Sequence, residues 1–510
     1  MSESRTKNSI KNAGYGIFLQ AIGILTNYVT RIILVRTLGI AVNGLNGLFT
    51  EVISMISLAE LGVGTAIIYN LYKPLAENDI PKLTQLMTLF RKAYRIIAGA
   101  IMAVGLALTP VVHLLVTKTD FSVGYIRLVF VLFVAQTASS YLFSYKSSLL
   151  NADQKVYIVS TVTAIFKVIM AVVNIAVLLL TKSFVAFLIT RIAVTLGMNM
   201  TISIVANRKY PFLKNSSQLP REERRSILSN VKHLFISSLS GKITNSTDNT
   251  LISILVSTVV VGVYSNYALI LNSVNSVCSQ VMNSLSGSVG NLMVTESPEK
   301  SHSVLKKLSF LFFFAGSLCG VGFYCVATPF VALCFGRENI LAQSVLLVSA
   351  ANFFLYIARE PLWKMLQVSG LFAKDKNISI LGSTVNLIVS LVLGKLIGIA
   401  GIFIGTVCTH VIQIILKILL LYRDRFHISP REYLLYWLKI VVLLTLELAA
   451  GQLIYILVAF ESLVATFLVR GVLALITVVA ATALCYRRTP EWCYYWKTAR
   501  GMIRFPKKRS

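Results

Sequence analysis

The fold is decided by a segment that runs from residue 34 to residue 83, LVRTLGIAVNGLNGLFTEVISMISLAELGVGTAIIYNLYKPLAENDIPKL. It contains the end of one long apolar stretch, a second apolar stretch, and a polar joint that carries Lys73 and Lys82. A helix needs about 20 apolar residues to cross a bilayer core of about 30 Å. About fourteen such stretches alternate with polar joints along the 510 residues. This alternation predicts an all-α polytopic membrane protein.

The composition supports a membrane protein. Hydrophobic residues make up 56% of the chain and charged residues only 13%, whereas soluble domains carry about 25% charged residues. The net charge of +28 lies in joints and tails beside apolar segments. We therefore expect anionic membrane lipids, and not nucleic acid, to be the partner of these charges. The seven cysteines form no C-x-x-C pair, so neither a metal site nor a disulfide framework is predicted.

Fourteen membrane-spanning helices are predicted from the apolar stretches. Their ranges are 13–38, 43–70, 94–116, 121–149, 156–181, 183–206, 231–256, 258–290, 306–335, 340–366, 377–397, 399–422, 434–459 and 462–486. The first stretch is too long for a signal-peptide core, so we expect a retained helix.

Positive charge falls mainly in every second joint. The basic joints are the N-terminus, 71–95, 207–232, 293–307, 364–376, 423–431 and the tail after residue 486, with a weaker one at 146–155. The positive-inside rule places this set in the cytoplasm. Both termini are then cytoplasmic, which agrees with an even number of helices, and the expected location is the bacterial inner membrane.

Two of these joints have the character of interfacial segments. In 80–95, apolar Leu83, Leu86, Met87 and Phe90 recur at helical spacing between basic residues, which predicts an amphipathic helix lying in the membrane interface. An ordinary solvated joint is the alternative. The tail mixes Trp492 and Trp496 with a basic end, a composition that favours attachment to an anionic lipid surface.

A weak internal repeat of about 220 residues suggests two halves. LVRTLGIAVNGLNGLFT (34–50) is similar in pattern to ILVSTVVVGVYSNYALI (254–270), and each stands at the first-to-second helix joint of a half. The predicted organisation is a first six-helix lobe (1–210), a second six-helix lobe (211–430), an extra helix pair (431–486) and a basic aromatic tail (487–510). Six crossings return the chain to its starting side, so the two lobes are expected to be parallel repeats.

Ionisable residues at membrane depth are costly and are candidates for function. The candidates are five basic residues within predicted helices, mostly in the first half: Arg31, Arg127, Lys167, Arg191 and Lys242. Lysine meets a phosphate as a point charge and arginine as a bidentate fork. Cations that faced one cavity would therefore bind an anionic head group such as phosphate or pyrophosphate. Alternatively, each cation pairs with a buried acid and joins helices, and Arg127 reaches the outer interface.

Buried acids and a histidine are the candidates for ion coupling or for structural pairs. They are Glu51, Glu60, Asp248 and His410, with Glu447 as a further buried candidate for a proton or sodium ion. A structural role is the alternative for each, and for a lone histidine in an apolar helix it is the more common one. Arg359 and Glu360, just before Pro361, suggest a structural or gating ion pair. No cofactor is predicted.

No enzyme signature occurs in the sequence. The P-loop motif G-x-x-x-x-G-K-[ST], which would indicate an ATPase, is absent. G-x-S-x-G and H-E-x-x-H are absent as well. A polysaccharide polymerase or ligase would carry a large outer loop, whereas every predicted outer joint is short. The sequence therefore predicts a protein that is not an enzyme.

Residues 34–83 resemble the N-terminal signature of bacterial polysaccharide transporters, the Wzx-like flippases of the multidrug/oligosaccharidyl-lipid/polysaccharide (MOP) superfamily. TDNTLISILVSTVVVGVYSNYALIL (247–271) resembles the start of that family's second half, including an acid at Asp248 and an aromatic residue at Tyr264. The resemblance implies two six-helix lobes around a central cationic cavity and transport by alternating access. It also implies a substrate of undecaprenyl-diphosphate that bears a sugar repeat unit.

The predicted function is therefore a flippase that moves lipid-linked oligosaccharide units from the inner to the outer leaflet for capsule, O-antigen or exopolysaccharide synthesis. We expect a monomer that works beside glycan polymerase machinery. A lipid II-type flippase and a multidrug exporter of the same superfamily are the alternatives, although a basic cavity would repel cationic drugs. A passive scaffold or scramblase is a further alternative of a different class.

Overall fold

The computed structural model describes residues 2–57, 63–153, 155–225, 227 and 247–503, and every extended element in these ranges is a helix. The helices of the first part are α1 (Ser2–Leu38), α2 (Ile40–Ile56), α3 (Val63–Ala76), α4 (Ile80–Leu108), α5 (Val123–Ala152), α6 (Val156–Thr181), α7 (Phe184–Lys209), α8 (Asp248–Leu255) and α9 (Thr258–Thr295). Then follow α10 (Pro298–Phe335), α11 (Gln343–Ala358), α12 (Glu360–Val368), α13 (Phe372–Ile397), α14 (Ile399–Leu421), α15 (Arg431–Leu457), α16 (Leu463–Tyr486) and α17 (Pro490–Ile503).

The predicted all-α membrane class is confirmed. Ten helical segments among the described residues are long and apolar enough to cross a membrane. The count of fourteen spans stays a prediction. The predicted span 43–70 corresponds to α2 and α3, on either side of residues 58–62, which lie outside the described residues, as does most of the predicted span 231–256.

The sequence marks the starts of several long helices with capping side chains. Five of these side chains accept a hydrogen bond from the backbone N–H three residues further on: Asp79, Ser122, Ser183, Ser297 and Ser462. Such a cap satisfies one of the N–H groups that the first helical turn leaves without a partner. Pro81 and Pro298 stand in the first turn of α4 and α10, where proline fits without losing a helical hydrogen bond. As a result, α10 begins at residue 298 and not at the predicted 306.

The prediction of an interfacial helix over 80–95 is wrong. These residues form the first half of α4, which continues without interruption to Leu108. The apolar residues Leu83, Leu86, Met87 and Phe90 are each at most 3% exposed and belong to a core that includes Tyr141 and Tyr145 of α5. The helical spacing was read correctly, but protein, and not lipid, covers the apolar face.

The predicted helix 340–366 is two helices. α11 ends at Ala358 and α12 begins at Glu360, with Pro361 in its first turn. Proline lacks a backbone N–H and disfavours the helical conformation of the residue before it, so a helix boundary here is expected. The break places Arg359 between the two helices.

The chain divides into two compact units, Met1–Ser265 and Asn266–Ser510. In the first unit, α4 and α7 pack on α5, and α6 packs on α1 and α7. In the second unit, α10 packs against α11, α15 and α16, and α13 packs along α14. The predicted division into lobes at residues 210 and 430 stays a prediction.

The two segments of the internal repeat contact each other within the first unit. The Asn43 side chain donates a hydrogen bond of 2.8 Å to the Gly262 carbonyl oxygen. A Cβ atom at Gly44 would lie 2.1 Å from the Thr258 carbonyl oxygen, and one at Gly262 would lie 2.2 Å from the Ile40 carbonyl oxygen. Only glycine allows the backbones of α2 and α9 to approach this closely, as small residues do between membrane helices.

Candidate anion-binding site in the first unit

Arg31 of α1 and Arg191 of α7 form the centre of the candidate site. Arg31 Nη1 donates a 3.1 Å hydrogen bond to the carbonyl oxygen of Ser265, which lies in α9 and is the last residue of the first unit. Arg191 Nη1 donates to Asn46 Oδ1 of α2 at 3.3 Å. The two guanidinium groups are near enough for their charges to repel each other. Two cations from separate helices are thus held together.

Aromatic rings hold Arg191 in place. Its guanidinium carbon lies 6.0 Å from the centre of the Phe133 ring and 5.7 Å from that of Phe187. Phe184 stacks on Phe187 with ring centres 5.8 Å apart. The electron-rich face of a ring attracts a guanidinium ion without neutralising its charge. The rings therefore orient the Arg191 guanidinium group without neutralising its positive charge.

Carboxylates do not neutralise this pair among the residues that the structure describes. None lies within 4.0 Å of the basic nitrogens of Arg31 or Arg191, and the hydrogen bonds found for both end on neutral oxygens. The predicted alternative, in which each cation pairs with a buried acid, is therefore not seen for these two. Both arginines are half-buried, and a charge removed from water without a counter-charge is costly.

Lys167 of α6 lies in the same unit and contacts α1 about two turns before Arg31. Its side chain crosses Gly23, so that Nζ would be 3.0 Å from a Cβ atom placed there. Gly23 precedes Arg31 by eight residues, which is about 12 Å along a helix. Lys167 is exposed on the unit's surface. It adds a positive charge beside α1, away from the arginine pair, and has no ion-pair partner among the described residues.

The other two basic candidates are not brought to the pair. Arg127 is exposed near the start of α5, and its Nη2 donates a 2.7 Å hydrogen bond to the Pro110 carbonyl oxygen. This contact fits the alternative that Arg127 reaches the end of the helix bundle. Lys242 lies outside the described residues. Roles for both in binding stay predictions.

Glu51 binds the start of a helix. Its Oε1 accepts hydrogen bonds from the backbone N–H groups of Asn249 at 2.9 Å and Thr250 at 3.3 Å, in the first turn of α8. A carboxylate at a helix N-terminus satisfies free N–H groups and the positive end of the helix dipole. Asp248 lies close enough to interact electrostatically with Glu51, and its Oδ1 is buried without a hydrogen bond among the described residues. Glu60 lies outside them.

His410 belongs to a different cluster, in the second unit. Its Nδ1 accepts a hydrogen bond of 2.7 Å from Arg359 Nη1, and both side chains are buried. The Arg359 guanidinium carbon lies 4.7 Å from the centres of the Tyr356 and Trp363 rings. The structural reading of His410 agrees with this contact. Arg359 pairs with His410, whereas the sequence suggested a pair with Glu360.

Sequence reasoning missed the neutral groups of the site. Asn46 and the Ser265 carbonyl oxygen contact arginines 145 and 234 residues away in the chain. Asn46 stands beside Gly44 and Gly47 in a polar, glycine-rich turn of an otherwise apolar helix. That composition was a signal of close helix packing, and it could have marked α2 as the helix that α9 approaches.

No protein-family model matches the sequence, and no curated protein sequence matches it. Solved structures do match the fold. The lipid II flippase MurJ, in an inward closed conformation, superposes with a TM-score of 0.68 over 94% of this chain and 98% of its own, at 13% identity. An inward-facing MATE multidrug resistance transporter of the MOP superfamily gives 0.65 over 81% and 98%, at 16% identity. A variant of the Vibrio cholerae MATE transporter VcmN gives 0.58 over 84% and 100%, at 14% identity.

The chain therefore has the fold of MOP-superfamily transporters. The proteins that share it here are flippases and multidrug transporters, and not enzymes. Ten apolar spans and this fold describe a multi-pass membrane protein. At these identities the likeness concerns the fold alone.

Proposed function

We propose that the protein is a flippase for polyprenyl-diphosphate-linked oligosaccharides, which it moves from the inner to the outer leaflet for capsule, O-antigen or exopolysaccharide synthesis. The observation that carries the proposal is the Arg31–Arg191 pair, two cations at membrane depth that contact neutral oxygens and aromatic rings. An anionic head group would relieve their mutual repulsion.

The diphosphate is the chemical group that suits this pair. Each guanidinium offers up to five donors in a planar fork, and phosphate oxygens accept such a fork in bidentate fashion. One hydrogen bond per arginine was found to protein oxygens, so further donors can serve a ligand. Lys167 would add a third positive charge about 12 Å along α1 from Arg31. The sugars would occupy hydrated space, and the polyprenyl chain would stay in lipid.

A lipid II-type flippase is the second candidate, and it shares the diphosphate chemistry. The match to MurJ covers 94% of this chain, whereas the matches to the two MATE transporters cover 81% and 84%. Because the match to MurJ covers more of this chain, it can include the additional helices α15 and α16. A multidrug exporter is less well supported, because the Arg31–Arg191 pair would repel cationic compounds.

Flipping of a defined cargo tests the proposal. Proteoliposomes would receive a fluorescent undecaprenyl-diphosphate oligosaccharide, and the fraction that becomes accessible to an external quencher would be measured. We expect Arg31→Gln and Arg191→Gln to slow flipping by about tenfold or more. A tenfold change corresponds to the loss of only about 1.4 kcal/mol of interaction free energy. Lys395→Ala, which removes an exposed lysine near the end of α13, should flip at the normal rate.

Three results would contradict the proposal in different ways. Normal flipping by both arginine variants would remove the pair from the binding site. Flipping of lipid II in preference to other lipid-linked oligosaccharides would favour the second candidate. Export of a cationic dye, with no movement of either lipid, would favour the multidrug exporter.

A further inference from the structure

Glu447 is a buried acid that the proposed function does not use. It lies on α15, 16 residues after the start of the helix at Arg431, which is about 24 Å along the axis. The residue is 1% exposed, and neither carboxyl oxygen makes a hydrogen bond of good geometry with the described residues. An unpaired carboxylate at such a place is unfavourable, whereas the neutral acid is tolerated.

Among the described residues, a hydroxyl but no cation is found beside Glu447. The Ser317 hydroxyl of α10, also buried and otherwise without a partner, is near enough to hydrogen bond with the carboxyl group after a small rotation. One helical turn further, Gly451 faces α10, because a Cβ atom placed there would lie 3.5 Å from side-chain atoms of Val321 and Cys325. Glu447 and Gly451 therefore lie on the same face of α15, in its contact with α10.

A groove runs along α15 from charged residues near its start to the residue before Glu447. The groove has a volume of about 690 Å³, and its apolar wall includes Leu443, one helical turn before Glu447, and Leu446, which directly precedes it. Its charged rim consists of Lys306, Glu432, Lys439 and Glu491. Three of these residues are already paired, because Lys306 Nζ contacts Glu432 at 2.7 Å and Glu491 at 3.6 Å.

The titratable groups near Glu447 are few. From α16, Tyr486 interacts electrostatically with Glu447, and Cys485 lies beside it in the groove wall. From α15 itself, Tyr436 lines the groove, and its hydroxyl, like that of Tyr486, is buried without a hydrogen-bond partner among the described residues. From α10, Cys325 Sγ contacts the Gly451 carbonyl oxygen at 3.8 Å. None of these groups is a cation that could hold Glu447 ionised.

We propose that Glu447 is an exchangeable proton-binding site, which holds α15 on α10 when it is protonated and releases its proton when the α15–α16 groove becomes hydrated. The neutral acid donates a hydrogen bond to Ser317 Oγ. Loss of the proton to groove water leaves a carboxylate that this packing cannot stabilise. A sodium ion is the less suitable ligand, because a hard cation requires several oxygen ligands and only one neighbouring hydroxyl is positioned for Glu447. The inference is independent of the identity of the cargo.

Infrared difference spectroscopy of the full-length protein in nanodiscs tests this site. We expect a carbonyl band of a protonated carboxylic acid at neutral pH that Glu447→Gln removes. Glu432→Gln, the matched control on the same helix at the exposed end of the groove, should keep the band. The band should shift when the membranes are transferred to D₂O and disappear as the pH is raised.

Each other result overturns the proposal. A band that is the same in Glu447→Gln assigns the proton elsewhere, and a band that never shifts in D₂O shows a permanently closed structural acid. Loss of the band on replacing choline chloride by sodium chloride at constant pH assigns a sodium site. If Glu447→Gln does not fold, Ser317→Ala provides the second test, because removal of the acceptor should shift the Glu447 band.

Discussion

Two cation sites, Arg31–Arg191 in the first unit and Lys417 in the second, differ in whether a carboxylate accompanies the positive charge. In the first unit, Arg31 and Arg191 contact a backbone carbonyl, an asparagine and phenylalanine rings. In the second unit, Lys417 is 2% exposed and pairs with Asp375, and its Nζ lies 4.5 Å from the centre of the Trp363 ring. A cation that is neutralised by its own protein contributes to the packing. A cation that is not neutralised is costly to keep, and a ligand is a physical reason to keep it.

The largest effect on stability is expected at the neutralised cation. Asp375→Asn removes the counter-charge of Lys417 and leaves a buried lysine without a partner. Loss of one member of a buried ion pair typically costs about 3–5 kcal/mol. We expect a clear fall in the thermal unfolding temperature in detergent, measured by scanning fluorimetry, and a smaller fall in the double variant Asp375→Asn/Lys417→Met.

The exposed pair Lys300–Glu296 gives the control for this experiment. Its side chains are 58% and 37% exposed, at i,i+4 spacing on the surface, and Glu296→Gln should change stability by less than about 0.5 kcal/mol. An equal effect of the Asp375 and Glu296 variants would show that burial of Lys417 does not make its ion pair more important for stability than an exposed one.

The apolar helices could be predicted from the sequence, but the partners of the charges could not. Apolar length alone predicts most helices, and Arg31 and Arg191 follow from their positions within apolar stretches. The contact of Arg31 with Ser265 joins residues 234 apart, and that of Lys417 with Asp375 joins residues 42 apart. Local periodicity contains no information on such pairs.

The same limit explains the error over residues 80–95. Helical spacing of Leu83, Leu86, Met87 and Phe90 shows that one face is apolar, and a lipid interface and a protein core both satisfy that pattern. Only the position of α5, with Tyr141 and Tyr145 in the same core, decides between them. For His410, likewise, the partner Arg359 is 51 residues away.

A moderate effect on stability is expected at Glu51. The Glu51 variants test whether this acid caps a helix or takes part in ion coupling. Glu51→Ala removes the acceptor for the N–H groups of Asn249 and Thr250. Loss of a helix cap costs about 0.5–2 kcal/mol, so the unfolding temperature should fall by less than in Asp375→Asn. Glu51→Gln, which keeps one acceptor oxygen, should recover part of the loss. Flipping by Glu51→Gln at the normal rate would support a capping role, and its abolition would indicate ion coupling.

The smallest change in stability, with the opposite sign, is expected at Arg191. Arg191→Met keeps an unbranched apolar stem beside Phe133 and Phe187 and removes a charge that repels Arg31. No carboxylate among the described residues loses a partner in this variant. The free energy of unfolding should therefore be unchanged or higher by up to about 1 kcal/mol, and the unfolding temperature should not fall. Flipping should nevertheless be lost. A strong fall in stability would mean that Arg191 has a counter-charge in the folded protein, and Arg191 would then resemble Lys417.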